Sequence, residues 1–439
     1  MSWQKVKLGQ FLKNREGRYK PKDPAIQGLK RIEKIDFSGT IYLSDKVSNT
    51  DMILVKKGDL VISGINVEKG AMNIYQGEED VVATIHYSSY EFDEKQIDID
   101  FLTNFLKSLE FKKALKEQVP GGIKTEIKPK HILPLEVEIP TDVEEQRKVV
   151  KKLNENNSII EDVSSELTHQ LDLIKQLRQA FLREAMQGKL SHAELVSASQ
   201  ETGHELLAKI KAEKAQLIAE KKLKKEKELP PITADEIPFE IPEHWAWCRL
   251  GEICTKIGSG STPKGSNYSE SGKPFFRSQN IYDNGLVLDD IKYISDDVQQ
   301  QMNGTVVLAN DILLNITGGS MGRCALVPND FEEGNVSQHV CIIRPLLLNN
   351  VFLHKLVLSP YFQNLIFSST SGAGREGLPK YNLEQFMIPL PPLHDQEQIV
   401  AKLEELLAFC DGLEQSIKES QGYNEKLLQQ VLREALQGN

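Results

Sequence analysis

The chain repeats itself at long range. Leu182-Arg183-Glu184-Ala185-Met186-Gln187-Gly188-Lys189 matches the final Leu432-Arg433-Glu434-Ala435-Leu436-Gln437-Gly438-Asn439 at six of eight positions, all at an offset of 250. The same offset joins Gln146, Val149, Val150, Lys152 and Leu153 to Gln396, Ile399, Val400, Lys402 and Leu403. Two segments of equal length thus bracket the same kind of sequence without a net gap. Such a repeat limits the fold more than any local propensity, because a unit that occurs twice has to fold twice in one frame.

Each copy reads as one long helix. Apolar residues recur at Val149, Leu153, Ile160, Val163, Leu167, Leu171, Ile174 and Phe181, and again at Ile399, Leu403, Leu406, Cys410, Leu413, Ile417, Leu428 and Val431. Steps of three and four alternate, which lays one apolar seam along each helix. The Leu167–Leu171–Ile174 spacing inserts an extra four-step, a stutter that unwinds a supercoil locally. Asn156 and Asn424 fall on the seam, where a polar residue fixes register. Gly188 and Gly438 stand where a helix stops. From Asp142 to Gly188, at roughly 1.5 Å per residue, each helix is about 70 Å long. Matched lengths and ends predict that the two helices pair antiparallel as a coiled coil, with internal pseudo-two-fold symmetry. Two separate amphipathic helices, each on its own core, are the alternative.

A globular block precedes each helix. In the first, Val6 and Leu8 lead to Gly9, a turn at Lys56–Asp59 feeds the apolar run Leu60–Ser63, and Phe101, Leu102, Phe105 and Leu106 follow helical spacing. The second block repeats the landmarks in order. Trp3, Leu8 and Gly9 face Trp245, Leu250 and Gly251; Asp59 and Gly70 face Asp311 and Gly322; Ser108 and Phe111 face Ser359 and Phe362. Strands mixed with helices in each block predict an α+β chain with two similar α/β domains. The expected divisions are 1–141, a first long helix at 142–189, a connector at 190–241, a second block at 242–392 and a second long helix at 393–439. The connector carries a charged helix from Glu205, the lysine-rich run Lys221–Lys227, and the breakers Pro230, Pro231 and Pro238. If the long helices are antiparallel, it has to bring the chain back along the first of them.

No phosphate-binding loop, dinucleotide fingerprint, Asn/Asp-Pro-Pro-Tyr/Phe run, His-Glu-x-x-His or Cys-x-x-Cys occurs, so the motifs of catalysis are missing. The five cysteines lack metal-ligand spacing, and no apolar run approaches the roughly 20 residues that span a bilayer. No leader pattern opens the chain. A reduced, cytoplasmic protein without a membrane segment is expected. The net charge of −10 argues weakly against nucleic acid, but residues 1–34 hold ten Lys or Arg against three Asp or Glu.

The candidate binding residues lie on loops of both blocks. Arg15, Arg18, Lys20 and Lys22 form one such loop, with Lys124 and Lys128 near the end of the first block. Lys256, Ser259, Thr262 and Lys264 lie in a Gly/Ser-rich loop of the second block, followed by Arg277, Gln279 and Asn280, with Arg375 and Lys380 near its end. Arg, Gln and Asn read base edges bidentately, whereas Lys and Ser hold phosphates. His339, beside Gln338, reads as a satisfied residue rather than a general base.

Together these features resemble the specificity (S) subunit of type I restriction–modification systems. The resemblance rests on the twice-used Trp…Leu-Gly block start and on Ile388-Pro-Leu-Pro-Pro-Leu393 followed by Gln396 and Gln398. It rests also on the Leu-Arg-Glu-Ala-x-Gln-Gly helix ends and on Leu229-Pro-Pro-Ile with Glu236-Ile-Pro-Phe-Glu-Ile-Pro242. The first block departs from the pattern, since Ile139-Pro-Thr-Asp142 replaces the double proline. The resemblance implies that the blocks are target-recognition domains, each reading half of a bipartite site in double-stranded DNA. It implies that the paired helices dock two methyltransferase subunits, that restriction/translocation subunits join them, and that S-adenosylmethionine, ATP and magnesium belong to those partners. The chain itself would then be non-catalytic. A non-catalytic coiled-coil adaptor with protein-binding globular domains is the other reading; a self-contained nuclease or methyltransferase is the weakest.

Overall fold

The computed structural model describes residues 3–46, 48–118, 126–190, 201–370 and 377–436. They form two compact units, one from residues 1–170 and 416–439 and one from residues 171–415. Each unit holds one globular block, the opening part of one long helix and the closing part of the other.

In the first unit the strands are β1 (Trp3–Lys7), β2 (Leu12–Asn14), β3 (Arg31–Ile35), β4 (Ile41–Ser44), β5 (Met52–Val55), β6 (Leu60–Ser63), β7 (Met72–Ile74), β8 (Val81–Thr84), β9 (Tyr87–Phe92) and β10 (Glu136–Pro140). Helices α1 (Ile99–Lys107), α2 (Leu109–Gln118) and α3 (Pro129–Ile132) stand between β9 and β10. The sheets run β2-β9-β6-β7, β4-β3-β8-β5 and β1-β10. All four residues of β6 are buried, as its continuous apolar run requires. The long helix α4 (Val143–Met186) follows, then α5 (Gly203–Ala219) in the connector.

The second unit repeats this order. Its strands are β11 (Ala246–Arg249), β12 (Cys254–Ser259), β13 (Lys273–Phe276), β14 (Ile281–Tyr282), β15 (Gly285–Leu286), β16 (Lys292–Ile294), β17 (Val306–Leu308), β18 (Ile312–Asn315), β19 (Cys324–Leu326), β20 (Glu333–Val336), β21 (Val340–Pro345) and β22 (Met387–Leu390). Its helices are α6 (Leu250–Ile253), α7 (Asp296–Gln301), α8 (Asn350–Val357), α9 (Pro360–Ser368), α10 (Lys380–Gln385) and the long α11 (Leu393–Leu436). The sheets run β12-β21-β18-β19, β16-β13-β20-β17 and β11-β22. Strand for strand this is the first unit's connectivity, with one added hairpin, β14-β15, between the counterparts of β3 and β4. Even the parallel pair recurs, β3 with β8 and β13 with β20.

The helices run antiparallel in each unit. In the first, Leu428, Val431 and Ala435 pack on the cluster that holds Val149, Val150 and Leu153, while Asn424 Nδ2 donates to the Ile160 carbonyl at 3.0 Å. The seam asparagine thus binds the facing helix's backbone, a register-setting contact. In the second unit, Arg178 meets Asp411 at 2.7 Å and Glu414 at 2.9 Å. Leu182, Ala185 and Met186, with Phe181 against them, share a core with Ile399, Val400 and Leu403. Ile160, Ile174 and Cys410 are buried, and Leu167, Leu406 and Ile417 are half-buried.

Two expectations need correction. Val163 and Leu413 were expected on the pairing seam, yet they are 43% and 37% exposed. Three- and four-residue steps are also consistent with a second, neighbouring face, and only the position of the partner helix separates the two. The connector does not run back along the first helix either. The end of α4 already lies in the second unit's core, and α5 adds Leu206 and Ile210 to that core. Gly188 closes α4 at φ +71°, where a Cβ would meet the Pro242 ring at 2.5 Å. Only glycine fits that stop.

Candidate nucleic-acid interface

The loops of both domains hang on one duplicated frame. Gln146 is wholly buried: its Oε1 accepts from the Asp98 amide at 2.7 Å and its Nε2 donates to the Pro140 carbonyl at 3.0 Å. Gln396 is buried alike, accepting from the Asn349 amide and donating to the Pro391 carbonyl, both at 2.9 Å. Each glutamine ties the start of a long helix to the cap of a domain helix and to the closing strand. Ser108 and Ser359 cap α2 and α9 through Phe111 and Phe362. Buried Asp59 and Asp311 sit before β6 and β18, each binding an arginine fork and a turn amide.

That frame corrects the expectation for Arg15. Its Nε lies 2.6 Å from Asp59 Oδ2, Nη2 2.8 Å from Oδ1, and Nη1 2.8 Å from Glu91. A guanidinium held by two carboxylates fixes the fold rather than reading a base. In the second domain Arg344, on β21, pairs with Asp311 in its stead. Arg18 and Lys20 share Asp51 at 3.3 and 3.2 Å but remain largely exposed, and Lys22 is exposed. Lys128 lies 3.5 Å from Glu126. The basic start is therefore neutralised in part by carboxylates from later in the chain. Lys124 and Arg375 lie outside the described residues.

In the second domain Ser259, Thr262 and Lys264 are exposed on one loop. Lys256 is half-buried and donates to the Gly304 carbonyl; burial, and then Arg344, push its pKa down. Arg277 and Gln279 come together on Asp290: Arg277 Nη2 donates to its carbonyl at 2.8 Å, and Gln279 Nε2 to its carboxylate at 3.2 Å. Asn280 does not join them. It is fully buried and closes the hairpin base, accepting from the Arg277 amide and donating to the Val287 carbonyl, so it is not free to reach a base edge. Lys380 is tied to Glu226 and Glu384. Beside the Arg277 turn, Arg277 Nε, Asn315 Oδ1 and Ser337 Oγ are buried and find no partner among the described residues. His339 Nδ1 pairs with Thr317 Oγ1 at 2.7 Å, and His86, at the matching turn of the first domain, with Glu126 at 2.9 Å.

A second duplicated feature escaped the reading of the sequence. Ile159, Val163 and Leu173 on α4, and Phe409, Leu413 and Tyr423 on α11, are 37% to 67% exposed. They correspond pairwise at the offset of 250. At 3.6 residues per turn each trio falls within roughly 80° of one helix face, beside the pairing seam. Among the described residues no His/Cys/Asp/Glu group could hold a metal ion, and no helix is long and apolar enough to cross a membrane.

Residues 242–420 match the family model of the type I restriction modification DNA specificity domain. The specificity subunit of the type I restriction enzyme EcoAI of Escherichia coli is 30% identical over 274 residues, 61% of this chain and 46% of that protein. The chain spans about half the length of that curated relative. The EcoKI specificity subunit of Escherichia coli strain K12 is 22% identical over 422 residues, covering 90% of this chain and 79% of that one. A chain from a structure on complex assembly and conformational transition of the type I R-M system has the same fold. It covers 99% of this chain and 98% of that one, with a TM-score of 0.60 at 17% identity. Repeat, fold and relatives agree: the chain is similar to the specificity subunits of type I restriction–modification systems, and residues 242–420 match their DNA specificity domain.

Proposed function

We propose that this chain is the DNA-recognition subunit of a type I restriction–modification complex, each domain reading one half of a bipartite site. The observation that carries the reading is one strand order built twice with different loops on it. A shared frame with unlike loops suits two unlike half-sites. The exposed loops carry Arg18, Lys20 and Lys22 in one domain and Ser259, Thr262, Lys264, Arg277 and Gln279 in the other, side chains suited to phosphates and base edges.

The duplicated apolar stripe on α4 and α11 suits two copies of one partner, in keeping with two methyltransferase subunits. Restriction/translocation subunits complete the complex. Bond-making, with S-adenosylmethionine, ATP and magnesium, falls to these partners, and the chain is not itself an enzyme. The test is a gel-shift titration of the chain with its methyltransferase partner, on duplexes with and without the motif found by methylome sequencing. Retardation should be motif-specific and should weaken steeply with salt. Equal retardation of both duplexes, or none, would sink the reading and favour a protein adaptor. The chain alone, incubated with labelled S-adenosylmethionine and DNA, should transfer nothing.

A further inference from the structure

A cation–aromatic pair stands at matching places in the two domains. In the first, the turn after β3 raises Phe37, 60% exposed, and Lys69 Nζ lies 5.4 Å from its ring centre. Lys69 belongs to the loop after β6. In the second, the connection after β13 carries the β14-β15 hairpin with Tyr282, 37% exposed, and Arg323 Cζ lies 4.7 Å from its ring centre. Arg323 belongs to the loop after β18, the counterpart of β6. The device is the same, but the residues differ, as do the lengths of the connections that carry them.

Both tips are held rather than loose. Asp36 accepts from the Ser38 hydroxyl at 2.6 Å, from the Ser38 and Thr40 amides at 3.0 and 2.9 Å, and from the Tyr42 hydroxyl at 3.1 Å. Gly70, at φ +94°, sits so close to the Phe37 carbonyl that a Cβ there would approach it to 2.8 Å. In the second domain Asp283 accepts from the Cys324 amide at 3.1 Å, which binds the hairpin to β19. A large ring left partly in solvent on a fixed turn forgoes part of the gain that full burial would bring. A cation beside it gives the tip the two contacts that duplex DNA offers, an apolar base edge such as the thymine methyl and a phosphate.

We propose that Phe37 and Tyr282 each pack against a base of their own half-site, with Lys69 and Arg323 on the neighbouring phosphates. This rests on the DNA reading above. The test uses the full chain with its methyltransferase partner on the methylome-defined duplex, with anisotropy titrations over a range of salt. Phe37→Ala should weaken binding about tenfold with the salt slope unchanged, since an apolar contact to a base edge carries no counterion release. Lys69→Ala should lower that slope by about one. Phe37→Trp should retain affinity, and Tyr282→Ala and Arg323→Ala should behave likewise for the other half. On a duplex whose first half-site is scrambled, Phe37→Ala should add no further loss, whereas Tyr282→Ala should. If the wild-type complex discriminates the motif but Phe37→Ala and Tyr282→Ala bind as tightly as it does, the inference is wrong and the DNA reading stands. If the wild-type complex does not discriminate the motif, both fall together.

Discussion

Gln146 and Gln396 perform one task 250 positions apart. Their match is visible in the sequence, but their task is not, because it depends on Asp98 and Asn349, far from either. Gln146 closes three bonds and Gln396 two, each in a buried site, so Gln146→Ala or Gln396→Ala takes the side-chain partner from a backbone amide and from at least one carbonyl. Either change should lower unfolding stability by about 1–3 kcal/mol, measured by denaturant titration; a shift within error would show that the ties are idle. Asp36 supplies a prediction in pH. Its carboxyl is held down at about 2, chiefly by the Ser38 hydroxyl, with the Thr40 amide and the Tyr42 hydroxyl adding to it. The folded value lies below the unfolded one of about 4, so its hold on the Phe37 turn is complete above that range and is lost as pH falls towards 2. The Ser38 and Thr40 amide resonances should move in that window, and Asp36→Asn should abolish the movement. Amide positions unchanged from pH 5 to 2 would contradict it. At this scale the sequence was a poor guide to binding residues. Asn280 and Arg15 have the right chemistry for DNA, but burial and two carboxylates engage them in the fold. Phe37 with Lys69, and Tyr282 with Arg323, went unnoticed because the members of each pair meet only through the sheets.

The long helices were the most legible elements, since 44 residues of amphipathic spacing leave little else to form. The face used for pairing was less legible. Leu403 and Leu413 both fit a three-four pattern, yet Leu403 is fully buried and Leu413 is 37% exposed. Leu403→Ala should cost about 2–5 kcal/mol, the transfer and cavity loss of a core leucine. Leu413→Ala should stay within about 0.5 kcal/mol of the parent. Thermal or chemical denaturation of both variants checks this, and equal losses would restore Leu413 to the seam. The strands were legible where burial is two-sided, as in Leu60–Ser63. The hairpin β14-β15 was not, because two-residue strands carry too short a pattern to count.

On the scale of the whole molecule, both compact units draw on both long helices. A change made in α4 and α11 together therefore alters the chain between the domains without touching a loop. Seven residues are the suitable insert. They rotate an ideal helix by only about 20° relative to its own pattern, so the pairing seam and the exposed stripe both stay in place. They lengthen each helix by roughly 10 Å, about three base pairs of duplex at about 3.4 Å each. If the helices set the gap between half-sites, inserting one heptad into both should lengthen the unread spacer of the methylated motif by about three base pairs and leave the half-sites unchanged. A heptad in α4 alone would leave Asn424 out of register with Ile160 and should cost stability without giving a clean new spacing. Methylome sequencing of strains carrying each variant separates these outcomes. An old gap with new half-sites would mean that the helices do not set the spacing and that the domains read DNA through a geometry the insertion cannot reach.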